Sequence, residues 1–174
     1  MGMGVKIRFY VPIVFLLVVA GIAAVILYWK ADSAGREVIE FASAVLGGIV
    51  AIYGLLLNVQ SARNASARRF LERWTDPQFA KYRAAVSKML HGKDATFETL
   101  DRQTVLAILN FWEEMAIAVL RKEADEAILK DFFYTVALGC YRVAGPWIER
   151  NRNELNQPTA YVPFQKLYNR WEPK

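Results

Sequence analysis

Two clusters near the C-terminus combine side chains suited to holding a nucleotide. Trp147, Arg150, Asn151, Arg152 and Asn153 fall together just after Gly145-Pro146. Lys166, Arg170 and Trp171 form a second cluster, with Tyr161 nearby. Arginine forks match phosphate oxygens, aromatic rings stack on bases, and an asparagine amide pairs with the edge of adenine. Arg150, Arg152, Asn151, Trp147, Asn153, Lys166 and Arg170 are therefore the candidate ligand-binding residues. A helix start after the Gly-Pro break would add free backbone N–H groups for phosphate. If the helix instead persists, Arg150 and Arg152 lie on opposite sides and one of them is structural. A solvated helix end with core aromatics explains the same residues without any ligand.

Other chemistry is sparse. The chain has one Cys and one His, so a four-ligand Cys/His zinc site is excluded within one chain. Cys140 falls on an apolar helical face, as a small buried hydrophobe does. His91 stands at a helix end, where a positive charge is favoured. Glu113 and Glu114 are adjacent, so they point to different sides of a helix and cannot work as a carboxylate pair. No phosphate loop, GxSxG or HExxH pattern occurs. We expect no enzymatic activity, no cofactor, no metal and no disulfide.

The elements that carry these residues begin with two apolar runs. Phe9–Trp29 is 21 residues without a charge, and Ala42–Val59 is 18 more. A bilayer core is crossed by roughly 20 residues of helix, so both runs qualify. The first is longer than the apolar core of a signal peptide, and aromatic residues flank it at Phe9, Tyr10, Tyr28 and Trp29. The expected architecture is all-α: a transmembrane hairpin over residues 1–59, with helices at about 9–29 and 38–59, then a cytosolic helical domain over 60–174. The second membrane helix has no stop signal and should continue to about Trp74.

Orientation follows from Lys and Arg near the helix ends. Lys6 and Arg8 precede the first run, and Arg63, Arg68, Arg69 and Arg73 follow the second. Both termini should be cytosolic, with only about Ala31–Val38 outside. The four arginines would also lie against anionic headgroups, each contributing about 1 kcal/mol near the surface. Glu40 either reaches the surface or lines a pore mouth. Ser43, Gly47, Ala51 and Gly54 fall on one face of the second helix, a spacing that permits close backbone approach in lipid. That face packs the hairpin on itself or joins copies of the chain.

Beyond Gln60 there are 18 Lys and Arg against 14 Asp and Glu. Thr75-Asp76-Pro77 is a helix start signal. Phe79, Tyr82, Val86, Met89 and Leu90 recur at helical spacing up to Gly92. Asp101 is placed to cap a helix whose apolar face holds Val105, Ile108, Leu109, Trp112, Met115, Ala116, Val119 and Leu120. Arg121–Glu126 should turn. Ile128–Val143 should form another helix, broken or kinked at Gly145-Pro146, and a last helix should span Val162–Trp171. Nothing alternates with period two, so no sheet is expected.

Phe111-Trp112-Glu113-Glu114-Met115-Ala116, the charged turn after it, Trp147 and Arg150, and Tyr161-x-x-Phe164-x-x-Leu167-x-x-x-Trp171 together resemble a bacterial family of small uncharacterised membrane proteins. Its members have two N-terminal transmembrane helices and an all-helical cytosolic domain. The resemblance covers about Phe70–Trp171, and many family turns have Gly where this chain has Glu123-Ala124. Some proteins of this architecture are similar to membrane effectors of type III CRISPR systems, which sense cyclic tetra-adenylate. What the resemblance implies is a multi-pass protein of the bacterial inner membrane, acting in antiviral defence. It would be a homo-oligomer, a tetramer being one candidate state, binding a cyclic oligonucleotide and perturbing the bilayer. No double-stranded nucleic acid is expected. The alternative expectation is a membrane-anchored scaffold that docks a protein partner and has no nucleotide ligand.

Overall fold

The structure is a computed structural model and describes residues 19–92 and 97–173. It is all-α among these residues: α1 (Val19–Lys30), α2 (Ser33–Thr75), α3 (Ala80–His91), α4 (Arg102–Leu120), α5 (Glu126–Glu154) and α6 (Val162–Trp171). Short 3-10 turns at Pro77–Phe79 and Phe97–Thr99 precede α3 and α4. The expected start of the first helix at Phe9, with Lys6 and Arg8, lies outside the described residues. The chain divides into two compact units, Met1–Leu57 and Asn58–Lys174; α2 supplies residues to both.

α2 is a single helix of 43 residues. It starts five residues before the expected Val38, so the connection from α1 shrinks from Ala31–Val38 to Ala31 and Asp32. The cause is a cap: the Asp32 carboxylate accepts a 2.9 Å hydrogen bond from the Gly35 N–H, satisfying one of the orphan donors of a helix start. At the other end Asp76 leaves the helix with extended backbone, as a residue before proline prefers, and its side chain caps the following turn at Gln78. In the first unit the Tyr28 hydroxyl donates to Glu40 at 3.0 Å.

Among the described residues two helices are long and apolar enough to cross a membrane, and burial separates them. More than half of the apolar stretch of α4 (56%) is buried inside the protein, against 0% for α2. α4 is thus the core helix of the second unit. Phe111, Trp112 and Met115 on it are completely buried. Trp74, from the last turn of α2, meets the rings of Phe79, Phe111, Trp112 and Phe133 at 5.2–5.6 Å. Such aromatic pairs add about 0.5–1.5 kcal/mol each beyond the area they bury.

α6 packs against α4 through Trp112 and Phe164, whose rings stack at 5.9 Å with an 11° interplanar angle. α3 and α5 approach closely at Gly139, where an added Cβ would meet a Leu90 methyl at 2.7 Å. The turn between α4 and α5 closes on the Ala118 carbonyl, which accepts from the N–H groups of Glu123 and Ala124. The left-handed residue there is Lys122, at φ 60°.

Of the break or kink expected at Gly145-Pro146, the break does not occur. α5 runs through it for 29 residues. Proline removes one helical N–H, but Pro146 is exposed, and buried Ala144 and Ile148 on either side hold the helix against the core. Tertiary packing overrides the local cost.

Candidate functional site

Antiparallel packing of α4 and α5 brings the start of α4 beside the end of α5. The two helices and the neighbouring turns enclose a groove. Its larger compartment is about 390 Å³ and is lined by Phe97, Leu100, Arg102, Val105, Trp147 and Arg150, with Glu98, Asn151, Glu154 and Leu155 completing the wall. A smaller compartment of about 140 Å³ shares Arg102, Trp147, Asn151 and Leu155 and reaches Tyr161. Small-ligand sites typically begin near 300 Å³.

Three of the seven residues singled out in the sequence meet here. Trp147 is half-buried, with its ring 6.4 Å from that of Phe97. The Arg150 guanidinium is exposed and pairs with Glu98 at 3.2 Å. The Asn151 amide donates to the Trp147 carbonyl at 3.0 Å, and its side-chain oxygen has no hydrogen-bond partner among the described residues. Because α5 is continuous, no helix start lies at Trp147, and the expected N–H groups for phosphate do not exist there.

Arg152 points elsewhere. Its Nε donates to the Ala160 carbonyl at 2.8 Å and its Nη1 to Gln165 Oε1 at 3.1 Å. Its Nη2 is buried without a hydrogen-bond partner among the described residues. Glu113 stands near this guanidinium and accepts from the Phe164 N–H at 2.9 Å. Burial pushes the Glu113 carboxyl above the usual carboxylate range, while that hydrogen bond and Arg152 pull it back. Burial also raises Tyr161, whose hydroxyl donates to Asn110 Oδ1 at 3.4 Å. Arg152 and Glu113 thus build the joint between α5, α4 and the start of α6.

The remaining candidates are dispersed. Asn153 and Lys166 are exposed, and neither has a polar partner among the described residues. Arg170 pairs with Glu126 at 2.7 Å, at the opposite end of α6 from Phe164. Sequence reasoning missed Arg102, Phe97 and Leu100, which line the groove from α4 and the turn before it. Arg102 is exposed and has no ion-pair partner among the described residues. Its only sequence signal is its place directly after the capping Asp101, which accepts from the Thr104 N–H at 2.9 Å.

The other candidate chemistry is structural. Cys140 is buried, and burial pushes its thiol up to about 12. His91 Nδ1 lies 3.0 Å from the Ser87 carbonyl. Glu114 pairs with Arg73 of α2, whereas its neighbour Glu113 bonds to Phe164 of α6. Among the described residues no group of three or more His, Cys, Asp and Glu could hold a metal ion.

On the small-residue face of α2, Ser43 lines a cavity with Gly21, Ala24, Val25 and Tyr28 of α1. Gly47 and Gly54 have nothing within 4 Å of where a Cβ would sit.

The model of one protein family, Domain of unknown function (DUF4760), matches residues 41–171. No curated protein and no solved structure matches the chain.

Proposed function

We propose a function from the premise that this chain belongs to the DUF4760 family, whose model takes in the exposed apolar stretch of α2 together with every helix that follows it. In this reading α1 and α2 cross the bacterial inner membrane as a hairpin, with both termini in the cytoplasm. Residues 41–62 of α2 carry no charge, and a helix of that length rises about 33 Å, enough for a hydrocarbon core of about 30 Å. The helical domain is then a cytosolic binding module with no catalytic step of its own. The chain acts as a homo-oligomer, joined through the open Gly47 and Gly54 face.

The groove carries the ligand reading. Trp147, Arg150 and Asn151 share one wall, and Arg102 adds a second guanidinium from α4. A ring, two cations and a free amide oxygen are the complement of a nucleotide phosphate with its base. A cyclic oligoadenylate, the ligand implied by the family resemblance, is the specific proposal. Trp74 places α2 in the aromatic core, so a ligand that prefers one packing of that core biases the membrane helices as well. The bias equals its difference in affinity for the two states.

A second reading has its own support. Glu98 and Glu154 also line the groove, and Glu98 already occupies Arg150. A mixed-charge groove of this kind suits a protein segment, as in a membrane-anchored scaffold.

Calorimetry with the full chain in nanodiscs separates the two. The effector reading expects cyclic tetra-adenylate to bind at low salt and weaken steeply as salt rises. Arg150→Ala should reduce affinity about tenfold or more, in line with roughly 1.5–3 kcal/mol for a hydrogen bond to a charged group, and Trp147→Ala should cost a similar factor, in line with about 1–3 kcal/mol for a base stacked on an aromatic ring. No binding at low salt, or equal binding by parent and both variants, overturns it and leaves the scaffold reading.

A further inference from the structure

We infer that the turn between α4 and α5 is a membrane-surface contact, in which Arg121 and Lys122 bind the headgroups of anionic phospholipids. The inference rests on the membrane reading of α2.

The first observation is where the turn is held. Asp125 ties it to α2 from two sides: its Oδ2 accepts from Gln60 Nε2 at 2.7 Å, and its backbone N–H donates to the Arg63 carbonyl at 3.1 Å. Gln60–Arg63 is where the uncharged stretch of α2 ends. A stretch of about 33 Å fills the hydrocarbon core and puts that end at the headgroups, a layer of roughly 5–7 Å on each side. A segment distant in sequence is therefore bonded to the helix at the level of the interface.

The second observation is the residue at the left-handed position. Lys122 has φ 60°. A non-glycine residue there costs about 1–2 kcal/mol that Gly would avoid. The chain presents an exposed lysine side chain at that position.

The third observation is charge. Arg121 and Lys122 are exposed and have no ion-pair partner among the described residues, whereas Arg73, Arg142, Arg150 and Arg170 are each paired. Arg63 lies beside the same junction. Opposing charges are Asp125, whose carboxylate also accepts from the Ile128 N–H, and exposed Glu123; the next acid, Glu126, is already paired with Arg170. Three cations against two acids leave a net attraction to an anionic surface, which acts within a Debye length of about 10 Å. Arg121 at the α4 C-terminus would also complement the helix dipole in plain solvent. That accounts for Arg121 alone and not for Lys122 in a strained backbone.

The test places single probes on the full chain in nanodiscs. Cys140 is buried with its thiol at about 12, so it stays unlabelled. A fluorophore goes at Glu123→Cys, at Asn153→Cys near the far end of α5, and at Leu55→Cys within the apolar stretch. The quencher is a nitroxide tethered to lipid headgroups. With phosphatidylglycerol present, the Glu123 probe should be quenched at least twofold more than the Asn153 probe. That difference should shrink by half or more in purely zwitterionic lipid, or when Arg121→Gln and Lys122→Gln are combined. Equal quenching at positions 123 and 153, or no response to the double substitution, overturns the inference while a lipid-exposed Leu55 probe keeps the membrane reading intact. A water-exposed Leu55 probe overturns both.

Discussion

Glu113 accepts a hydrogen bond from the backbone N–H of Phe164 at 2.9 Å, across 51 positions of sequence. The contact satisfies a donor at the start of α6, where Tyr161 in the N-cap position provides no side-chain cap. It also fixes where α6 sits on α4, beside the Trp112–Phe164 stack.

This bond has a pH signature. Burial holds the folded Glu113 pKa above its ordinary value, so the folded state binds more protons than the unfolded state in the window between the two values. Stability from this group is therefore greatest below the ordinary carboxylate range and declines as pH rises through the raised pKa. Glu113→Gln keeps an acceptor for Phe164 without a buried charge. It should flatten that decline in thermal melts between pH 4 and 7. Glu113→Ala, which leaves the Phe164 N–H without its partner, should lower stability by about 1–3 kcal/mol at either pH.

Arg150 and Arg152 should separate on stability alone. Arg150 makes one exposed ion pair, so Arg150→Ala should change stability by less than about 1 kcal/mol. Arg152→Ala strips partners from the Ala160 carbonyl and Gln165 inside the joint with α6 and should cost about 2–3 kcal/mol. Chemical denaturation of both variants measures the difference. Equal losses would mean that Arg152 does not support the joint.

Pro146→Ala should stabilise the protein. The residue is exposed inside α5, so replacement restores a helical N–H and removes no buried contact. The gain should be about 1–3 kcal/mol, bounded by the penalty for proline in a helix interior. A fall in melting temperature would show that the ring is needed where it stands.

The double variant Gly47→Leu with Ala51→Leu should reduce the size of the oligomer in detergent and in lipid, measured by light scattering. Gly47 has open space around it within the chain, so the bulky side chains act on a partner helix. Unchanged size removes this face from the interface.

Impermeant thiol labelling of intact cells tests the orientation. Cys placed at Ser33 should react from outside, and Cys placed at Asn153 should react only after lysis. Both positions are exposed, and buried Cys140 contributes no background. The reverse pattern would invert the topology.

What the sequence by itself determined is what depends on near neighbours. The charge-free stretch of α2 is visible because hydropathy is a property of consecutive residues. The bounds of α6, Val162–Trp171, follow from helical spacing and an early proline. Asp101 and Asp76 are readable as caps because a cap acts within three residues. Trp147, Arg150 and Asn151 were legible only as part of the crowded run Trp147–Asn153, because crowding is a property of consecutive residues; nothing local set them apart from Arg152 and Asn153. Tertiary structure decided the rest. Arg102 and Phe97 join the groove because α4 and α5 pack antiparallel, which no local pattern encodes. Arg152 was drawn inward by the Ala160 carbonyl and Gln165, although its sequence neighbourhood is as polar as that of Arg150. Gly145-Pro146 reads locally as a break, yet α5 continues because burying Ala144 and Ile148 outweighs one missing hydrogen bond. The Asp125–Gln60 bond, which brings the α4–α5 turn to the end of the apolar stretch, spans 65 positions. Contacts of that separation exist only once the chain has closed its core.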